Sequence, residues 1–291
     1  SDRPSDPPAE PKKEWREENG KLYYYENGVK KTNTWVPDGA RKYYVGADGT
    51  LQTSTWLQLD GKRYYTDAHG AALTGRQNVD NAEYYFDSDG VMQANRWIEQ
   101  DGGSFYVQSS GAVATNTWLH LGDKWFYVDA KGIRAVGLVK VGTEWYHFSD
   151  DGVMSTGWKQ IDGSWYYLGD SGAMATGWQQ IGGTWYYFDG SGAMATKKWI
   201  EGTFYVDDSG AMLVSTIRTI DGWTYTFGGN GRWITVNNGG YSCPAWAPIK
   251  GNASSKIYHR PGNQSYNITK PEACFSTGTQ AEAAGYHAAK R

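Results

Sequence analysis

Residues 157–196 read GWKQIDGSWYYLGDSGAMATGWQQIGGTWYYFDGSGAMAT, a block of about 20 residues written almost twice over. Working outward from it, tryptophans recur in register at Trp35, Trp56, Trp97, Trp118, Trp158, Trp178 and Trp199. An aromatic cluster follows each, such as Trp165-Tyr166-Tyr167 and Trp185-Tyr186-Tyr187. A period this short marks stacked units, each too small to bury a core of its own. Within one unit, Asp162-Gly163 is a favoured two-residue turn between short strands rich in aromatics. Closing the turn there pairs Ile161 with Ser164, Gln160 with Trp165, Lys159 with Tyr166 and Trp158 with Tyr167. Paired residues and alternate residues share a face. Trp158, Trp165 and Tyr167 therefore project from one side, and Tyr166 and Leu168 from the other. The fold class is all-β, a solenoid of about eleven stacked hairpins.

Composition narrows the partners. The 291 residues include 15 Trp, 22 Tyr, 8 Phe and 38 Gly, with a formal charge of −3. No long basic cluster exists, so nucleic acid is not an expected partner. No apolar run is long enough for a membrane span. Residues 1–14, rich in proline and charge, read as a linker. No signal peptide opens the chain, and we expect a fragment of a longer exported protein. Repeats occupy 15–236, and residues 242–291 form a separate small α+β module after the period stops.

The pattern GWxxIxGxWYYxxxxGxMxT resembles the cell-wall-binding repeat of choline-binding proteins, and is similar to related glucan-binding repeats. The resemblance implies a left-handed superhelix of hairpins with ligand held between neighbours by two tryptophans, an aromatic of the next hairpin and a methionine. Carried onto this chain, one pocket combines Trp158 and Trp165 with Tyr187 and Met174. A second combines Trp178 and Trp185 with Tyr205 and Met194. A third uses Trp118 and Trp125, with His147 where a tyrosine is expected. An aromatic cage suits a quaternary ammonium, which cannot donate hydrogen bonds but gains ~0.5–2 kcal/mol over a ring face. Several weak sites on one rod act together on a repetitive target.

Other units depart from the pattern: Arg63 and Ser104 replace the second tryptophan, and Arg76 and Leu138 replace the first. An arginine in a cage opposes choline but can hydrogen-bond sugar hydroxyls. The partner implied is choline-bearing teichoic acid, or a wall polysaccharide or glucan, at the surface of a Gram-positive cell or in secreted form. A structural stalk displaying the C-terminal module is a further reading, and the inner Tyr166, Tyr186, Leu168 and Phe188 read as packing core.

The C-terminal module resembles small domains on secreted bacterial hydrolases. A short helix is expected near 281–284, capped by Thr277 or Thr279. Cys243 and Cys274 are expected to form a disulfide, the alternative being a zinc site with His259 and His287. No nucleophile motif, phosphate loop or HExxH pair is present, so neither an enzyme nor a cofactor is expected. The aspartates fall in turns, where they favour the bend.

Overall fold

The computed structural model describes residues 9–100 and 102–290. At the tip of the Trp158 hairpin, Asp162 and Gly163 both take left-handed backbone angles (φ 49° and 82°). That geometry matches the twist of the flanking strands, Gly157–Ile161 and Ser164–Leu168. The observed register pairs Trp158 with Tyr167, Lys159 with Tyr166, Gln160 with Trp165 and Ile161 with Ser164, as expected from the turn. Gly177–Ile181 and Thr184–Phe188 repeat the arrangement around Gly182-Gly183. Eleven such hairpins run from Lys13 to Phe227 among the described residues. Of the linker expected over 1–14, residues 1–8 lie outside the described residues, and Lys13-Glu14 already belong to the first strand.

An isolated two-stranded hairpin is marginal in water, so stacking must supply the stability. The loop after each hairpin supplies it by returning to the hairpin before. Met174 donates its backbone N–H to Trp145 O, Met194 to Trp165 O and Met212 to Trp185 O, at 2.8, 2.8 and 2.9 Å. Asp189 shapes one loop: its Oδ1 accepts from the Ser191 hydroxyl at 2.6 Å and from the backbone N–H groups of Ser191 and Ala193. Those bonds, the Ser191 hydroxyl foremost, hold its carboxyl below the usual range. Gly192 is favoured, because φ is +83° and a Cβ would force the Met174 side chain to shift.

The last residue of the second strand is the core position of most units. Val45, Phe86, Val107, Val128, Leu168, Phe188 and Val206 are all at 0% exposure there. Burial of a side chain of this size contributes about 1.5–3 kcal/mol relative to leaving it in water.

The chain falls into two compact units. One runs to Val139 and includes Phe148–Met154; the other comprises Lys140–His147 and everything from Ser155 onward. In the second, the last hairpin (Thr216–Ile220, Trp223–Phe227) is not a free-standing sheet. It continues through Trp233–Asn237, Ala273–Phe275, Ile249–Asn252, Ile257–His259 and His287–Ala288 into one seven-stranded sheet. The sheet of the C-terminal module therefore begins at Thr216, ahead of the boundary at 242 expected from composition. The period ends at the composition change, but the backbone hydrogen-bond ladder crosses it. Cys243 and Cys274 are bonded to each other. A helix spans Gly278–Ala283, with Thr277 accepting from Gln280 N–H as its N-cap. No helix is long and apolar enough to cross a membrane, among the described residues.

Candidate functional site: aromatic cages on the hairpin stack

Three aromatic rings and a thioether line an open surface pocket of about 320 Å³ beside the Trp158 hairpin, with Ser209 at its edge: Trp158, Trp165, Tyr186 and Met194. Trp158 and Trp165 meet nearly at right angles, centroids 6.2 Å apart. Tyr186, from the next hairpin, stands 4.9 Å from Trp158 at 74°. Behind the cavity, Tyr167 and Phe188 brace Trp158 at 5.3 and 5.7 Å. Trp165 forms the outer wall and is 41% exposed, a large apolar surface left in water. No charged side chain lines the cavity. Ring faces turned onto a small space without internal charge suit a cation that has no hydrogen to donate.

The two leading tryptophans come together as expected, but their partners differ from the expected Tyr187 and Met174. Tyr187 lies on Trp178 of its own hairpin at 5.3 Å, and Met174 is buried against the following loop at Gly192. The wall is Tyr186, which the sequence placed among the packing residues, and the methionine is Met194, one unit later. The reason is front-to-back stacking. Identical units related by one repeated step present the front of each hairpin to the back of the next. The front carries Trp158, Trp165 and Tyr167, whereas the back of the following hairpin carries Tyr186.

The same placement recurs one step on. Trp178 meets Phe204 at 5.3 Å, whereas Tyr205 lies on Trp199 at 5.2 Å. Trp185, 39% exposed, receives Met212, leaving Met194 to the Trp158 cage. Trp118 and Trp125 stand 6.4 Å apart, near the Trp158–Trp165 separation, with Met154 N–H donated to Trp125 O. His120 stacks on Trp125 at 4.4 Å. His147 shares a hydrogen bond of 2.8 Å with Ser155 Oγ and holds the repeat position of Tyr167 and Tyr187, which do not wall a neighbouring cage.

Earlier units fill their own cages. Lys42 replaces the second tryptophan, and its Nζ sits 4.2 Å over Trp35 and 4.9 Å over Tyr64. Burial there pulls the Lys42 ammonium below the usual lysine range. The Arg63 guanidinium covers Trp56 at 4.4 Å, and that of Arg134 lies 5.2 Å over Trp97 while pairing with Glu99. Arg76, in the first-tryptophan position, sits 4.8 Å over Phe105 and pairs with Glu83. Sequence reading found the Arg63 replacement but missed Lys42 and Arg134. The signal for Lys42 was present, a cation two residues before Tyr44, the strand partner of Trp35, and so on the same face; Arg134 enters from a loop in the methionine position.

Known proteins resemble this chain in sequence and fold. Residues 73–118, 135–176, 155–199 and 175–217 match a family model described as choline-binding repeat. Residues 11–51 match a second model of that description, and residues 116–133 a cell-wall-binding repeat. Residues 235–288 match a model described as ArfC. Choline-binding protein F of Streptococcus pneumoniae, crystallised with a peptidoglycan analogue, is 30% identical, with 75% of this chain and 91% of that one covered and a TM-score of 0.60. CbpJ of the same organism is 28% identical, covering 76% of this chain and all of that one, at TM-score 0.52. The modular autolysin LytC of S. pneumoniae, solved with a synthetic peptidoglycan ligand, is 29% identical at TM-score 0.55. There 68% of this chain is covered but only 46% of LytC.

Proposed function

This chain belongs to the choline-binding repeat family, and on that premise we propose that it is a non-catalytic anchor for choline-bearing teichoic acid. The ligand's trimethylammonium enters the cage of Trp158, Trp165, Tyr186 and Met194, and more weakly its counterpart around Trp178, Trp185, Phe204 and Met212, where the Arg232 guanidinium lies 5.3 Å over the Phe204 ring. The observation that carries this reading is the Trp158 cavity, walled by rings and holding no cation of the protein's own. Each ring contributes ~0.5–2 kcal/mol, so one cage is weak and anchoring depends on several engaging one polymer. The owner of this module is thereby held at the wall of a Gram-positive cell, or carried to it after secretion.

One feature supports the non-catalytic part: the loop aspartates Asp67, Asp87, Asp129, Asp189 and Asp207 are engaged in holding backbone N–H groups.

The test is tryptophan fluorescence titrated with choline chloride, with dextran in parallel. A saturable response to choline that is reduced in both Trp158→Ala and Trp178→Ala is expected. A response to dextran alone would replace the choline reading with a glucan one.

A further inference from the structure

The last repeat interface holds an aromatic cavity that the repeat pattern does not describe. The hairpin led by Trp199 is shortened to Lys198–Ile200 and Phe204–Val206, and it has no second tryptophan. Its inner walls are nevertheless those of a cage. Tyr225 of the next hairpin stands 4.8 Å from Trp199, against 4.9 Å for Tyr186 and Trp158. Tyr205 and Phe227 brace Trp199 from behind at 5.2 and 6.0 Å. Trp233 takes the place of the methionine: its backbone N–H is donated to Thr203 O, the counterpart of the Met194 bond to Trp165 O. Its indole N–H is donated to Gly202 O at 3.1 Å, which fixes the ring and satisfies its one polar atom.

The missing outer wall comes from the C-terminal module. Trp246 lies parallel to Tyr225, 2° between planes and 5.9 Å between centroids, and edge-on to Trp233 at 5.5 Å. Trp199, Gly202, Tyr225, Trp233 and Trp246 together line about 370 Å³, comparable with the 320 Å³ of the Trp158 cage. Trp246 is 49% exposed, yet its backbone is anchored on both sides. Cys243 is bonded to Cys274, Ala247 is fully buried, and Ala247 N–H is donated to Pro244 O at 2.9 Å. An exposed indole on an anchored loop is already organised for a ligand, so little conformational entropy is lost on binding.

No lysine, arginine or histidine lines this cavity, in contrast to the cages filled by Lys42 and Arg63. Its rings meet at angles from 2° to 79° instead of offering one flat platform, and the Gly202 carbonyl already accepts the Trp233 indole N–H. That favours a compact cation over a sugar. We propose that Trp199, Tyr225, Trp233 and Trp246 form a further quaternary-ammonium site, completed by the C-terminal module. The site rests on the choline reading of the repeats for its ligand, and it gives residues 243–247 a part in binding.

The test is fluorine NMR of the full chain labelled with 5-fluorotryptophan and titrated with choline chloride. The Trp246 and Trp158 resonances are assigned by their loss in Trp246→Phe and Trp158→Phe, which keep a ring for packing. The expected result is a saturable shift of both, with Trp246→Ala weakening the response of the Trp199 resonance (assigned by its loss in Trp199→Phe) about tenfold or more and leaving the Trp158 response unchanged. A moving Trp158 resonance with a stationary Trp246 would overturn this inference and leave the repeat cages intact. A moving Trp246 with a stationary Trp158 would support the hybrid site and refute the repeat reading. Stationary resonances at both would refute the two together, as would shifts produced by dextran in place of choline.

Discussion

Arg63→Trp should open a new ligand cage in a unit that now binds cations weakly at best. Three of the four walls are already built to the dimensions of the Trp158 cage. Trp56 meets Tyr84 at 4.9 Å and 73°, where Trp158 meets Tyr186 at 4.9 Å and 74°. The bracing rings also correspond, with Tyr65 at 5.2 Å and Phe86 at 6.0 Å. Met92 donates its N–H to Arg63 O at 2.8 Å, as Met194 does to Trp165 O. Only the second tryptophan is missing, and the Arg63 guanidinium sits over Trp56 at 4.4 Å in its place.

A ligand ammonium about 5 Å from that guanidinium would meet roughly 3 kcal/mol of repulsion at an effective dielectric of about 20. This offsets most or all of the ~1–4 kcal/mol that Trp56 and Tyr84 together would supply, so the wild-type cage binds cations weakly at best. The substitution removes the repulsion and adds a ring. It also removes the stacking of Arg63 on Trp56, about 0.5–1 kcal/mol at an exposed site, so the fold should tolerate it. Calorimetric titration with choline should show one additional site, with affinity near that of the Trp158 cage. Arg63→Ala, which removes the charge without adding the ring, should gain at most a much weaker site. A folded Arg63→Trp protein with unchanged stoichiometry would refute the reasoning, because ring geometry and absence of charge would then be insufficient.

Phe188→Ala, in the core position of its unit, should cost about 3–5 kcal/mol in chemical denaturation and also loosen Trp158, which it braces; a loss below 1 kcal/mol would contradict the packing assigned to it. Gly192→Ala should destabilise more than Gly163→Ala, since both have positive φ but only the former adds a collision with Met174, and thermal melts of the two variants decide this. Burial holds the Lys42 pKa below its ordinary value, so between the folded and unfolded values the unfolded chain binds more protons. Wild type should therefore gain stability relative to Lys42→Met as pH rises through that window towards the ordinary lysine value, and lose it as pH falls; urea denaturation of both proteins along an alkaline pH series measures the difference, and the opposite slope would contradict the assigned shift.

Much of the fold was legible because a hairpin is a local object. Asp162-Gly163 sets the turn, the turn sets the register, and the register assigns Trp158, Trp165 and Tyr167 to one face. What register does not specify is which face of the next unit that side meets. Tyr186 and Tyr187 are adjacent in sequence and opposite in direction, so mistaking the stacking mode exchanged wall for brace. The same ambiguity moved each methionine by one unit. Lys42 and Arg63 filling their cages depends on how long side chains fold back over a neighbouring ring, which strand patterning leaves open. Trp246 lay outside the period altogether, and its place beside Tyr225 follows from a sheet shared between the last hairpin and the C-terminal strands.

The most direct test of the central claim is a crystal structure of this chain grown with choline. The account predicts a trimethylammonium group enclosed by Trp158, Trp165, Tyr186 and Met194, with none over Trp35 or Trp56, where Lys42 and Arg63 already lie. Choline absent from the Trp158 cage, or bound instead over Trp35 and Trp56 with those cations displaced, would contradict it.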